Sequence, residues 1–234
     1  MGLRLIEHYL TLGRAIEIFM PQSSKNKKQS NKIGARKTSN NSPTVSQLRI
    51  IGGQFRGRKL SFESAQGLRP TLDQVRETLF NWLSADIYQA KCLDLFAGSG
   101  ALGFEALSRG ASNVSFVDNN LKAINNIKNN LDTLTSNQTR TDNHSEKKNT
   151  CINQTAEQFL KNTIERFDLV FLDPPYELDL IQQTLKNIQA ILAPGAKVYI
   201  EMEASLALNF LDNAWRILKM KTSSRLTYGL IELI

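Results

Sequence analysis

Apolar positions fall into short, regular patterns from Gln47 onward and are nearly absent from the stretch before it. Between Pro21 and Ser46 Ser, Asn, Gln, Lys and Thr dominate, a composition that cannot bury enough surface to fold and predicts disorder. Residues 1–20 could form a short amphipathic helix without a cap. Met20 heads a lysine-rich segment that would itself make a start, which predicts a native protein lacking residues 1–19. From Gln47, Leu48-Arg49-Ile50-Ile51, Gly52-Gly53 and Gln54–Leu60 predict short strands around a glycine turn. A helix follows, with Leu72, Val75, Leu79, Trp82 and Leu83 on one face and Thr71 or Asp73 as cap. Arg76 and Glu77 on that helix read as a solvated pair.

Beyond Lys91 two periodicities alternate. Strands are predicted at Cys92–Phe96, Asn113–Val117, Asn149–Asn153, Phe167–Leu172 and Ala196–Glu201. Helices are predicted between them at Gly100–Arg109, Lys122–Leu131, Ala156–Asn162 and Leu178–Leu192, the last stopped by Ala193-Pro194-Gly195. This alternation predicts βαβ units and a parallel sheet. Trp215–Thr222 and Ser224–Ile231 form a terminal hairpin, while polar Asp132–Lys148 is a long surface loop. The predicted organisation is a disordered basic extension (1–46), a β-hairpin (47–67) and an alternating α/β domain (68–234).

Composition narrows the class. No apolar run approaches the roughly 18 residues of a membrane span, and the first 20 residues do not read as a signal peptide. Cys92 and Cys151 lie in strand-like segments and read as small buried hydrophobes, and His8 and His144 make no metal cluster, so no metal is expected. A reducing cytoplasm fits. The net charge of +7 is uneven: residues 1–76 hold 14 Lys+Arg against 4 Asp+Glu, and the remainder 15 against 18. The excess positive charge lies ahead of the alternating region and points to a nucleic-acid partner. Arg49, Arg56, Arg58 and Lys59 surround one aromatic, Phe55, which could stack on a base or serve as the hairpin's core contact.

Two motifs carry chemistry. After strand Cys92–Phe96 comes Gly98-Ser99-Gly100-Ala101-Leu102-Gly103, a glycine string entering a helix, and Asp118 ends the next strand 20 residues beyond Gly98. Together these predict an adenosine-bearing cofactor with Asp118 on its ribose. Asp94 stands four residues before Gly98, where it would repel a pyrophosphate and attract the sulfonium and ammonium of S-adenosylmethionine. The second motif is Asp173-Pro174-Pro175-Tyr176, directly behind the apolar run Phe167–Leu172. The prolines lock extended backbone, so a carboxylate, a carbonyl and an aromatic ring form a rigid tip able to hold a planar molecule with an amino group.

These residues resemble the cofactor loop, ribose acid and catalytic tetrapeptide of class I amino-methyltransferases. Leu48–Lys59, Leu68–Leu83 and Cys92–Gly110 more narrowly resemble the bacterial ribosomal small-subunit methyltransferase D family. The resemblance implies a Rossmann-like seven-stranded sheet, order 3-2-1-4-5-7-6, with the last strand antiparallel. It implies methylation of the N2 amino group of one guanine in 16S rRNA, within an assembling or assembled 30S subunit, by a monomer. Asp173, Pro174, Pro175 and Tyr176 would then be catalytic. Asp94, Phe96, Gly98, Ser99, Gly100, Gly103, Asp118, Asn119, Thr155 and Ala156 would bind cofactor, Thr155 standing where relatives often place Asn or Asp against adenine. Arg49, Phe55, Arg56, Arg58, Lys59 and Arg69 would bind RNA. A DNA methyltransferase acting on adenine N6 or cytosine N4 uses the same tetrapeptide, and a non-catalytic RNA-binding assembly factor is a further alternative.

Overall fold

Seven strands form one sheet, and the apolar runs of its central strands find cover on both faces. The computed structural model describes residues 45–63, 73–136, 149–175, 178–204, 211 and 213–234. In chain order these hold β1 (Val45–Arg49), β2 (Lys59–Glu63), α1 (Asp73–Trp82), β3 (Lys91–Asp94), α2 (Ala101–Ser108), β4 (Asn113–Asp118) and α3 (Leu121–Thr135). There follow β5 (Thr150–Asn153), α4 (Ala156–Asn162), β6 (Phe167–Leu172), α5 (Leu178–Ile188), β7 (Leu192–Glu203), β8 (Trp215–Thr222) and β9 (Leu226–Leu233). The sheet order is β5-β4-β3-β6-β7-β9-β8, with β9 antiparallel to both neighbours. Numbered from β3, this is the expected 3-2-1-4-5-7-6. The expected 1–46 extension and Tyr176 and Arg69 lie outside the described residues, as does most of the 132–148 loop.

One apolar cluster joins the faces of α1 and α2 to the sheet through Leu79, Phe80, Phe104 and Phe116. The other, on the opposite face, gathers Phe159, Ile181, Leu185 and Ile188 of α4 and α5. Cys92 and Cys151 are free thiols, and burial raises the Cys151 thiol to about 11. Among the described residues no helix is long and apolar enough to cross a membrane.

Two elements depart from the pattern. The helix ends ahead of Ala193-Pro194-Gly195 as expected, but β7 begins at Leu192 rather than Ala196, so these three residues lie inside the strand. They are taken up in a register shift: Leu192 faces Phe167, and pairing resumes with Lys197 opposite Leu169. A bulge tolerates a proline because no ladder N–H is required there. The second departure is the N-terminal hairpin, whose strands pair Val45–Arg49 with Lys59–Glu63, further out than the glycine turn suggested. Residues 50–58 between them are a loop seated on α2. Leu48, Ile50, Phe55, Leu60 and Phe62 share the core of α1 and α2, and Asn130 of α3 donates to the Ser61 carbonyl at 2.9 Å.

Candidate active site

β3 and β6 are neighbours at the centre of the sheet, with Asp94 opposite Phe171. The glycine string therefore begins beside the strand that ends in Asp173. Its first turn is left-handed at two glycines, with φ of +51° at Gly98 and +78° at Gly100. A Cβ at Gly100 would come within 2.7 Å of the Phe104 ring, and one at Gly103 within 2.2 Å of Phe116. The third glycine thus lets α2 lie directly on β4, and the first two turn the backbone.

Two carboxylates anchor this loop from different sides. Asp118 accepts the N–H of Gly98 at 2.7 Å through Oδ2 and that of Asn120 at 2.7 Å through Oδ1. Asn120 in turn caps α3, accepting from the N–H groups of Lys122 and Ala123. Asp94 is not at the mouth of the loop as the spacing suggested. It is buried beneath it, accepting the Gly103 N–H at 2.9 Å. Burial pushes its carboxyl up to about 7, against the pull of the Gly103 hydrogen bond and with help from the charge of Asp118.

The other expected cofactor residues border this region. Ser99 is buried, Phe96 half-buried and Asn119 exposed. Thr155 caps α4 in a capping box: its hydroxyl accepts the Gln158 N–H and its own N–H is taken by Gln158 Oε1. The Gln154 N–H goes to the Asp118 carbonyl. Both backbone N–H groups are therefore already engaged, and Ala156 stands at the head of α4. At the tip, Asp173 is half-buried, Pro174 buried and Pro175 exposed.

The basic loop 50–58 is held by groups that the sequence pattern did not single out. Glu105, fully buried in α2, accepts the N–H groups of Ile51 (2.9 Å) and Gly52 (2.8 Å) and the Arg109 Nε at 2.8 Å. Ser108 accepts the Phe55 N–H at 2.9 Å and donates to the Gly52 carbonyl. Gly53 has a φ of +75°, and a Cβ there would lie 1.8 Å from the Ser108 carbonyl oxygen. Arg76 corrects the solvated-pair reading. It is 1% exposed, binds Asp73 and the Arg49 carbonyl, and lies 3.8 Å from Glu105. The signal in the sequence was a lone glutamate inside the otherwise apolar Ala101–Leu107.

Phe55 is also corrected as a stacking platform. It is 9% exposed in the core, and the Arg58 guanidinium lies over its ring at 5.7 Å, so burial on α2 has claimed the ring. Arg49, Arg56, Arg58 and Lys59 are exposed. The loop binds Ser108 at the C-terminal end of α2, while the glycine string stands at that helix's N-terminal end.

A sheet of this order, with a glycine loop after the central strand and an acid ending the next, defines the class I methyltransferase fold. The family described as Conserved hypothetical protein 95 matches residues 48–232. Ribosomal RNA small subunit methyltransferase D of Haemophilus influenzae is 43% identical over 190 residues, covering 80% of this chain and 94% of that protein. Its Escherichia coli counterpart is 39% identical over 188 residues, covering 80% and 90%. The solved structure of yhhF from Escherichia coli superposes with a TM-score of 0.70 at 36% identity, covering 80% of this chain and 98% of that one. A tRNA m1G37 methyltransferase of M. jannaschii, 15% identical with a TM-score of 0.59, shares the fold alone. The chain belongs to the ribosomal RNA small subunit methyltransferase D family.

Proposed function

We propose that the protein methylates the exocyclic N2 of one guanine in 16S rRNA, using S-adenosylmethionine. The observation that carries this reading is the adjacency of two motifs, the glycine loop after β3 and the acceptor tip after β6, on neighbouring central strands. The names of the relatives support the RNA substrate.

The residues fit the cofactor. Gly98–Gly103 leave room for close backbone approach, Asp118 keeps acceptor capacity for a ribose diol, and Asp94 supplies negative charge beneath the loop. When bound, S-adenosylmethionine supplies a methyl group already activated as a sulfonium, so no metal or protein nucleophile is needed. The chain's own task is positioning. Guanine N2 is a poor nucleophile because its lone pair is delocalised into the ring. The Asp173 carboxylate and the Pro174 carbonyl accept its two N–H bonds, draw the nitrogen toward tetrahedral geometry and turn its lone pair toward the glycine loop. Tyr176 stacks on the base. Orientation of this kind supplies roughly 7–11 kcal/mol. The proton released from the amine passes to Asp173 or to water. A base in a loop or a weak pair leaves its stack at least cost.

Asp94 makes the cofactor's affinity depend on pH. Below about 7 its carboxyl is protonated in the free protein, and a cation bound near it favours the charged form. S-adenosylmethionine should therefore bind more tightly as pH rises from 6 to 8, with proton release on binding measurable by calorimetry in buffers of different ionisation enthalpy. In the cofactor-free protein the sign is opposite. Asp94 contributes stability at pH below its ordinary 3.8, and that contribution is lost as pH climbs through 7. A pH-independent affinity would remove Asp94 from the cofactor's surroundings.

The exposed arginines of the 50–58 loop give a separate expectation. They lie on a loop bound to the C-terminal end of α2, whereas the glycine string is at its N-terminal end, which suits a substrate larger than one nucleotide, as an RNA domain or subunit is. Replacing Arg56 and Arg58 together with Ala should weaken RNA binding and lower its salt slope by up to about 2. An unchanged slope would assign both to ordinary solvated surface. The reading as a whole is tested by transfer of tritiated methyl from S-adenosylmethionine to ribosomal RNA, free or in small subunits.

A further inference from the structure

One buried carboxylate beside the acceptor tip has no part in that scheme. β6 and β7 pair Phe171 with Tyr199 and Leu172 with Ile200, where β6 ends; Asp173 and Glu201 are the residues that follow, and the charge of Asp173 reaches the Tyr199 phenol. Glu201 is 5% exposed and Tyr199 1%. The Tyr199 hydroxyl donates to Glu201 Oε2 at 2.6 Å. Burial and the nearby charges of Glu201 and Asp173 hold that phenol well above its ordinary range, so it stays a proton donor and keeps the Glu201 carboxylate oriented. On its other side Glu201 pairs across the sheet with Tyr228 of β9. The site thus holds two carboxylates, one just past the end of β6 and one within β7, on neighbouring strands spaced about 4.8 Å apart.

Guanine presents two kinds of donor on one edge, the N2 amino group and, next to it, the N1–H. Adenine and cytosine carry a ring nitrogen lone pair beside their amino groups. Resting on the guanine-N2 reading above, we propose that Glu201 is a specificity-determining residue whose carboxylate accepts the guanine N1–H, while Asp173 and Pro174 engage N2. A carboxylate has about four acceptor positions, so it can hold the Tyr199 hydroxyl and a further donor together. Facing a ring lone pair instead, the same carboxylate would be left repelled and imperfectly solvated. A site built to bond a donor rejects an analogue lacking it far more strongly than an apolar pocket rejects a shape. The tip alone suits any aromatic amine; Glu201 makes it select guanine.

The test uses small subunits reconstituted with RNA carrying guanine or 2,6-diaminopurine at the target position. Both bases have the 2-amino group, but diaminopurine has a lone pair at N1. The full-length wild-type protein should favour guanine at least tenfold in kcat/KM. Glu201→Gln, whose amide can donate to that lone pair, should narrow the ratio at least tenfold. Tyr199→Phe, which removes only the orienting hydroxyl, should lower guanine kcat/KM several-fold and narrow the ratio in the same direction. Equal losses on both substrates in folded variants would make Glu201 structural and overturn the proposal, as would a wild-type protein indifferent to the two bases. If the wild-type protein methylates neither base at the 2-amino group, the guanine-N2 reading itself fails and takes the proposal with it.

Discussion

Asp173→Ala should lower kcat for methyl transfer by about 10²–10⁴-fold, the contribution of a positioned proton acceptor, and leave S-adenosylmethionine affinity within a few-fold of wild type. The two effects separate because the cofactor loop is anchored by other groups. Gly98 is held by Asp118 and Gly103 by Asp94, whereas Asp173 stands at the end of the neighbouring strand. Asp118→Ala should show the converse, with weakened cofactor binding as its main loss. Calorimetric titration of the cofactor alongside single-turnover transfer distinguishes them. Equal loss of cofactor binding in Asp173→Ala would make Asp173 a structural residue and remove the proposed clamp.

The largest effect on stability should come from Glu105→Ala. Its carboxylate is fully buried and holds two backbone N–H groups of the basic loop, the Arg109 guanidinium and the approach of Arg76. Removing one partner of a buried ionic cluster costs about 3–5 kcal/mol, because the remaining cation is stranded in the interior. For a domain of this size that corresponds to a fall in Tm of about 6–20 °C. Arg76 Nε and Nη1 already lack hydrogen-bond partners among the described residues, so it has little slack to absorb the loss. Hydrogen exchange should quicken at Ile51 and Gly52 together with this fall. A change below about 1 kcal/mol would show that the cluster is solvated and that packing alone holds the loop.

Much of the architecture was legible in local patterns, and the exceptions share a cause. The run Phe167–Leu172 is a strand under any neighbours because Leu169–Leu172 are four successive apolar residues that tolerate burial on both faces, with only Asp168 exposed. The glycine string was legible because its turn and its contact with Phe116 need glycines at those positions. Arg76 and Glu105 were not, since a charged residue on a helix looks solvated until the chain brings its partner from far along the sequence. Phe55 was ambiguous for the same reason: base stacking and burial against α2 call for the same ring. Ala193-Pro194-Gly195 marked the end of the helix but hid the start of β7, because a stop signal and a bulge share a composition and only the pairing of Leu192 with Phe167 separates them. Glu201 and Tyr199, two apart on one strand, share a face by simple alternation. What could not be read was that this face turns toward Asp173.

The central claim is that this chain places one methyl group on the N2 of one guanine in 16S rRNA. Mass spectrometry of nucleosides and fragments from that RNA, in cells with and without the gene, tests it most directly. The account predicts that one N2-methylguanosine is lost at a single position without the gene and regained when the gene is restored. An unchanged methylation pattern, or loss of a methyl from a different base or atom, would contradict it.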